Sequence, residues 1–246
     1  MKILILGGTT EARLLCEALE SRGLHHIIFS LAGVTISALP VPVETRIGGF
    51  GGIAGLARTL RDAAIDLVID ATHPFAAQMS RHAVEACALC ALPLLRLIRP
   101  AWRPGTGAHW THVAAIAEVP KALGETPRRV FLTTGRKDLD PFIDTPHFYV
   151  VRSIERPPLP LPRRSLVILA RGPFALDEEI TLLRHHEIDC LVTKNAGSDA
   201  TAPKLEAARQ LGIEVVMVDR PLLPPANECT SVEEVLAWIQ GMRRSV

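Results

Sequence analysis

Short apolar runs alternate with helical stretches along the whole chain, and this alternation restricts the fold more than any other feature. The first β-rich runs are Lys2–Leu6, His26–Ser30, Val43–Ile47, Asp66–Asp70 and Leu92–Ile98, separated by helical patterns at 10–22, 53–64 and 75–90. A second series follows at Arg129–Thr134, His147–Arg152, Leu166–Arg171, Asp189–Thr193 and Glu214–Val218, with helical patterns near 114–124, 137–143, 174–186, 203–212 and 230–241. Apolar strands separated by helices form parallel sheets covered on both faces. Two such series predict an α/β fold of two small Rossmann-like doubly wound parallel-sheet domains with a ligand cleft between them. The predicted domains are 1–98 and 99–229, with a C-terminal helix, 230–246, able to fold back on the first. The Pro- and Gly-containing segment Arg99–Gly105 marks the boundary. Leu92–Ile98 fits either sheet, and the proline-rich stretch 153–164 reads as an extended connector inside the second domain.

Composition narrows the function classes. The net charge is +1, so no global field favours nucleic acid or an anionic membrane. The longest uncharged apolar stretch, Ala86–Leu95, is broken by Pro93 and falls short of the roughly 18 residues a membrane helix needs. The expected location is cytoplasmic. Of 27 bases, 22 are arginine, a residue whose planar fork suits carboxylate and phosphate, although codon bias gives the same excess. Five scattered cysteines are no disulfide framework. Cys87 and Cys90 form C-x-x-C inside a helical pattern with no second pair, so they read as small buried residues and no metal site is expected. His185 and His186 lack a carboxylate cluster and read as surface residues.

The ends of the strands carry the chemistry. The first runs into Gly7-Gly8-Thr9-Thr10, where a helix start offers free N–H groups and a positive dipole end. Adjacent glycines let a phosphate approach the backbone; a tight structural turn uses them equally well. The turn is not G-x-G-x-x-G. The third strand ends in Gly48-Gly49-Phe50-Gly51-Gly52, a glycine density that close ligand approach explains and a flexible loop also accommodates. The fourth ends in Asp70-Ala71-Thr72-His73-Pro74, where Pro74 keeps His73 out of helical geometry. His73 is a candidate proton donor or a structural residue of the turn. Three consecutive βα turns then share one crevice at the carboxyl edge of the sheet, where open α/β sheets bind ligands.

In the second series, Thr133-Thr134-Gly135-Arg136-Lys137, Ala170-Arg171-Gly172-Pro173 and Thr193-Lys194-Asn195 each deliver a base to the same edge. Three parallel strands doing so suggest an anion site. Trp102 either stacks on a flat ligand or is buried.

Taken in order, these six turns resemble the precorrin-6A reductase family of corrin biosynthesis (precorrin-6A or its cobalt-bearing counterpart), over nearly the whole chain. The resemblance implies an oxidoreductase that uses NADPH or NADH to reduce one ring double bond of a polycarboxylate, tetrapyrrole-derived macrocycle. It assigns Gly7, Gly8, Thr9, Thr10, Gly48, Gly49, Gly51, Thr72 and His73 to the cofactor in the first domain. It assigns Arg136, Lys137, Arg171 and Lys194 to substrate carboxylates in the second, Arg171 alternatively to cofactor phosphate. Channelling with other corrin-pathway enzymes is a further expectation, and no nucleic acid or membrane partner is expected. Relatives often carry arginine where Val34 stands, a residue that pairs with a 2′-phosphate; Ser30 or Arg46 is placed to compensate. The alternatives are a two-domain nucleotide-sugar transferase and a non-catalytic dinucleotide sensor.

Overall fold

A computed structural model describes residues 1–23, 26–33 and 40–244. The chain divides into two compact units, one of residues 1–100 with 222–246 and one of residues 101–221.

The first unit runs β1 (Lys2–Leu6), α1 (Thr10–Glu20), β2 (His26–Leu31), β3 (Glu44–Ile47), α2 (Gly52–Asp62), β4 (Leu67–Asp70), α3 (Ala77–Cys90) and β5 (Leu94–Leu97). Its six strands lie in the order β3-β2-β1-β4-β5, followed at the edge by a late strand from residues 227–229, and every pairing is parallel. Successive side chains of β1 go to opposite faces. Ile3 and Ile5 join one core with Leu15, Leu19 and Phe29, and Leu4 and Leu6 join the other with Leu56, Leu60 and Val68. That is why β1 shows no polar alternation. The chain leaves β1 in one direction and returns to β4 in the other, so the turns after these two strands diverge at a switch point.

The second unit contributes β6 (Trp110–Val113), α4 (Val119–Leu123), β7 (Arg129–Leu132), β8 (Phe148–Ser153), β9 (Ser165–Leu169), α5 (Leu176–His185), β10 (Cys190–Lys194), α6 (Pro203–Leu211) and β11 (Glu214–Val218). Its order, β9-β8-β7-β10-β11-β6, repeats the plan of the first sheet and is again all parallel. The chain then returns to the first unit with β12 (Asn227–Cys229) and α7 (Val232–Arg244).

The structure departs from the sequence reading at several points. Residues 222–229 belong to the first unit and not to the second, because β12 pairs with β5. The run at 92–98, placed in the predicted domain 1–98 with its sheet left open, forms β5 of the first sheet, paired with β4. Strands β6 and β12 had no counterpart in the apolar pattern. The helical stretch at 137–143 is a single 3₁₀ turn at Asp140–Phe142. The stretch at 114–124 is a 3₁₀ turn and the short α4, which stops at Gly124 with φ +76. None of the described helices is long and apolar enough to cross a membrane.

Candidate active site

At the carboxyl edge of the first sheet, the adjacent glycines of the β1–α1 turn have different duties. A Cβ on Gly7 would lie 2.2 Å from the Phe29 ring, so Gly7 is there to let the turn pack on the core. Gly8 has φ +119 and nothing within 4 Å of a Cβ position, which leaves its backbone open to a ligand. The Thr9 hydroxyl accepts from the Ala12 N–H at 3.1 Å and donates to the Ala71 carbonyl at 2.9 Å. It therefore caps α1 and ties the turn to the end of β4. Thr10 is the exposed first residue of α1.

The β3–α2 loop is the most open part of this edge. A Cβ on Gly48, Gly49, Gly51 or Gly52 would meet nothing within 4 Å, and all but Gly49 have positive φ. Arg46 braces the loop. Its guanidinium donates to Ser30 Oγ at 2.8 Å and to the Gly48 and Gly49 carbonyls at 3.1 Å, and lies 3.9 Å from the centroid of the Phe50 ring. No carboxylate among the described residues pairs with it. Val34 lies outside the described residues.

After β4, Thr72 turns its hydroxyl to Asp70 Oδ1 at 2.7 Å, while its N–H donates to the same oxygen at 3.2 Å. His73 Nδ1 accepts from the Phe75 N–H at 3.2 Å, so the ring closes its own turn ahead of α3. Burial pushes the thiols of Cys16, Cys87 and Cys190 up to about 12, which leaves them as packing residues and not nucleophiles.

The family model described as precorrin-6x reductase CbiJ/CobK matches residues 2–240. The chain belongs to this family. A precorrin-6A reductase of a Sinorhizobium species is 50% identical, with 97% of this chain and 94% of that protein covered. One from Rhodococcus erythropolis is 46% identical over 99% of both. A solved structure named CobK precorrin-6A reductase superposes with a TM-score of 0.93 at 43% identity, covering 98% of this chain and 96% of that one. Membership of the reductase family sets aside the sugar-transferase and sensor readings.

In the second unit, two of the four bases that the resemblance assigned to substrate stand in ion pairs. Arg136 Nη1 lies 3.0 Å from a Glu155 carboxylate oxygen, and the Lys194 amine pairs with Asp138. Lys137 and Arg171 are exposed.

Sequence reasoning passed over a second set of polar residues at the strand ends. Arg152, near the end of β8, is 6% exposed and grips Glu179 of α5 through both carboxylate oxygens. Its guanidinium lies 3.7 Å from the Phe174 ring centroid and 4.7 Å from that of Phe131. Lys204 of α6 is 4% exposed, with its amine 5.0 Å from the Trp102 ring centroid. Burial first, and then the Arg152 charge, pull the Lys204 ammonium down to about 7, with Glu179 opposing. Trp102 exchanges backbone hydrogen bonds with the Asn195 side chain at 2.8 and 3.1 Å. A signal was available for Arg152, as for Arg96: each is a charge interrupting an otherwise apolar strand. Lys204 sits in an ordinary amphipathic helix pattern and gave none.

Proposed function

We propose that the chain uses NADPH to reduce one ring double bond of precorrin-6A, with the cofactor held by the first unit and the macrocycle's carboxylates by the second. The observation that carries the cofactor assignment is the open glycine edge beside Arg46. Four glycines of the β3–α2 loop and Gly8 leave the backbone bare of side-chain cover. A pyrophosphate needs such an approach, and the start of α1 adds unpaired N–H groups and a positive dipole end. The residues present therefore fit a dinucleotide.

Arg46 favours NADPH over NADH. In dinucleotide folds an acidic side chain after the second strand binds the ribose hydroxyls, whereas an arginine accepts the 2′-phosphate. Here β2 ends in Ser30 and Leu31, and Arg46 donates to the Ser30 hydroxyl from the neighbouring strand. A reduced nicotinamide supplies the hydride when bound. The protein's task is to hold two planar groups in register and to neutralise the substrate's acids. Lys137 and Arg171, both exposed, supply charge for that, and Arg136 and Lys194 serve by exchanging Glu155 and Asp138 for ligand carboxylates. Thr9, Thr72 and His73 shape the cofactor edge through the turns they brace.

Single-turnover absorbance tests the activity. One nicotinamide is expected to be oxidised for each precorrin-6A reduced, and no oxidation with authentic substrate would reject the assignment. Arg46→Ala tests the selectivity. Loss of a charged hydrogen bond is worth about 1.5–3 kcal/mol, so the NADPH KM should rise about 10- to 150-fold with little change for NADH. An equal rise for both cofactors would make Arg46 a brace of the loop alone.

A further inference from the structure

The charge pattern at the carboxyl edge of the second sheet is unbalanced at one point. Arg152 and Glu179 neutralise each other in a closed bidentate pair. Lys204 remains, 4% exposed, with no hydrogen bond or ion pair among the described residues. It stands in the first turn of α6, where the helix dipole opposes a cation and favours an anion. Burial and the neighbouring Arg152 oppose its charge as well, and Glu179, on α5, offsets Arg152 only in part. Glu206, on α6 itself, is taken up by Arg209 and Gln210. The cover over the amine is the Trp102 indole, whose main chain is pinned by Asn195 but whose buried ring N–H has no partner among the described residues. Among the described residues, no hydrogen bond of the ring holds that cover down.

We propose that Lys204 receives a carboxylate of the macrocycle beneath the Trp102 ring and takes up one proton from solvent as it does so. The inference rests on the reading that the second unit binds the substrate. With a folded value of about 7, the free protein holds the amine largely neutral only by about pH 8. An arriving carboxylate supplies the missing counter-charge, the amine binds a proton, and a buried ion pair forms. No covalent bond is made or broken. Affinity for the substrate should therefore fall as pH rises through and above neutrality, because the proton must be drawn from an increasingly dilute supply.

Titration calorimetry of the full chain with precorrin-6A, at about pH 8 in two buffers of different ionisation enthalpy, counts the protons. The wild type should take up close to one proton per macrocycle bound. Lys204→Met should bind about 10- to 100-fold more weakly with no uptake, and Lys204→Arg, charged throughout, should bind without uptake and more tightly than the methionine variant. Binding by the wild type without proton uptake would overturn the inference while leaving the substrate assignment intact, and this measurement needs no variant to fold. Unchanged affinity or undiminished uptake in a folded Lys204→Met protein would overturn it too. Failure of the wild type to bind precorrin-6A at all would remove the substrate assignment, and the inference with it.

Discussion

Replacing Arg96 by leucine is expected to destabilise the protein by about 3–5 kcal/mol, the usual cost of leaving a buried charge without its partner. Asp70, at the carboxyl end of β4, is 1% exposed. Its Oδ1 is occupied by Thr72, and its Oδ2 faces Arg96 Nε at 3.5 Å. The same guanidinium donates to the Pro224 carbonyl at 3.1 Å and to Glu228 of β12 at 2.9 Å. One side chain thus neutralises a buried carboxylate and fastens the edge strand. Leucine does neither. Denaturant unfolding measures the loss, and a change below about 1 kcal/mol would show that Asp70 is satisfied without Arg96. The double variant Asp70→Asn/Arg96→Leu should recover part of the loss, since the amide carries no charge to strand.

Two glycine-to-valine changes should separate packing from binding at the first sheet's edge. Gly7→Val drives a branched side chain into the Phe29 ring, where even a Cβ is only 2.2 Å away. Phe29 is 3% exposed and has little room to yield, so a loss of about 1–3 kcal/mol or more is expected from overpacking. Gly49→Val is the opposite case. Its φ is ordinary and a Cβ meets nothing within 4 Å, so the fold should keep its unfolding midpoint. The valine would instead stand where the dinucleotide approaches the backbone, and the cofactor Kd should rise at least about tenfold. Gly8 is a poorer probe, because at φ +119 any side chain also strains the backbone. Unchanged cofactor affinity in a folded Gly49→Val protein would take the β3–α2 loop out of the binding site.

What could be read from the sequence follows from what forces a local pattern. Strands such as β1 and β4 are buried on both faces and must be apolar throughout, so they stand out. Strand β6, Trp-Thr-His-Val, is an edge strand with Thr111 and His112 exposed, and β12 is only three residues long. Neither needs an apolar run, and both escaped notice. The glycine turns were legible because positive φ and close approach leave few other residues able to serve. Ion pairing was not. Arg136 and Glu155 are 19 positions apart, and Lys194 and Asp138 are 56 apart, brought together only by the order of strands in the sheet. The isolation of Lys204 was hidden for the same reason: whether a charge has a counterpart depends on residues brought near it by the fold.

The edge strand β12 also has a consequence for how the chain is made. On the ribosome, residues 1–100 emerge with five of the six strands of their sheet, and the sixth arrives only after the whole of residues 101–221 has been synthesised. Until then the outer side of β5 offers unpaired backbone groups, the kind of surface that recruits other chains. The inserted unit has all six of its own strands in one continuous stretch and is free to finish folding first. The unit whose strands are made earlier is thus the later one to be completed, and a nascent chain stalled before residue 227 would expose a ready template for aggregation.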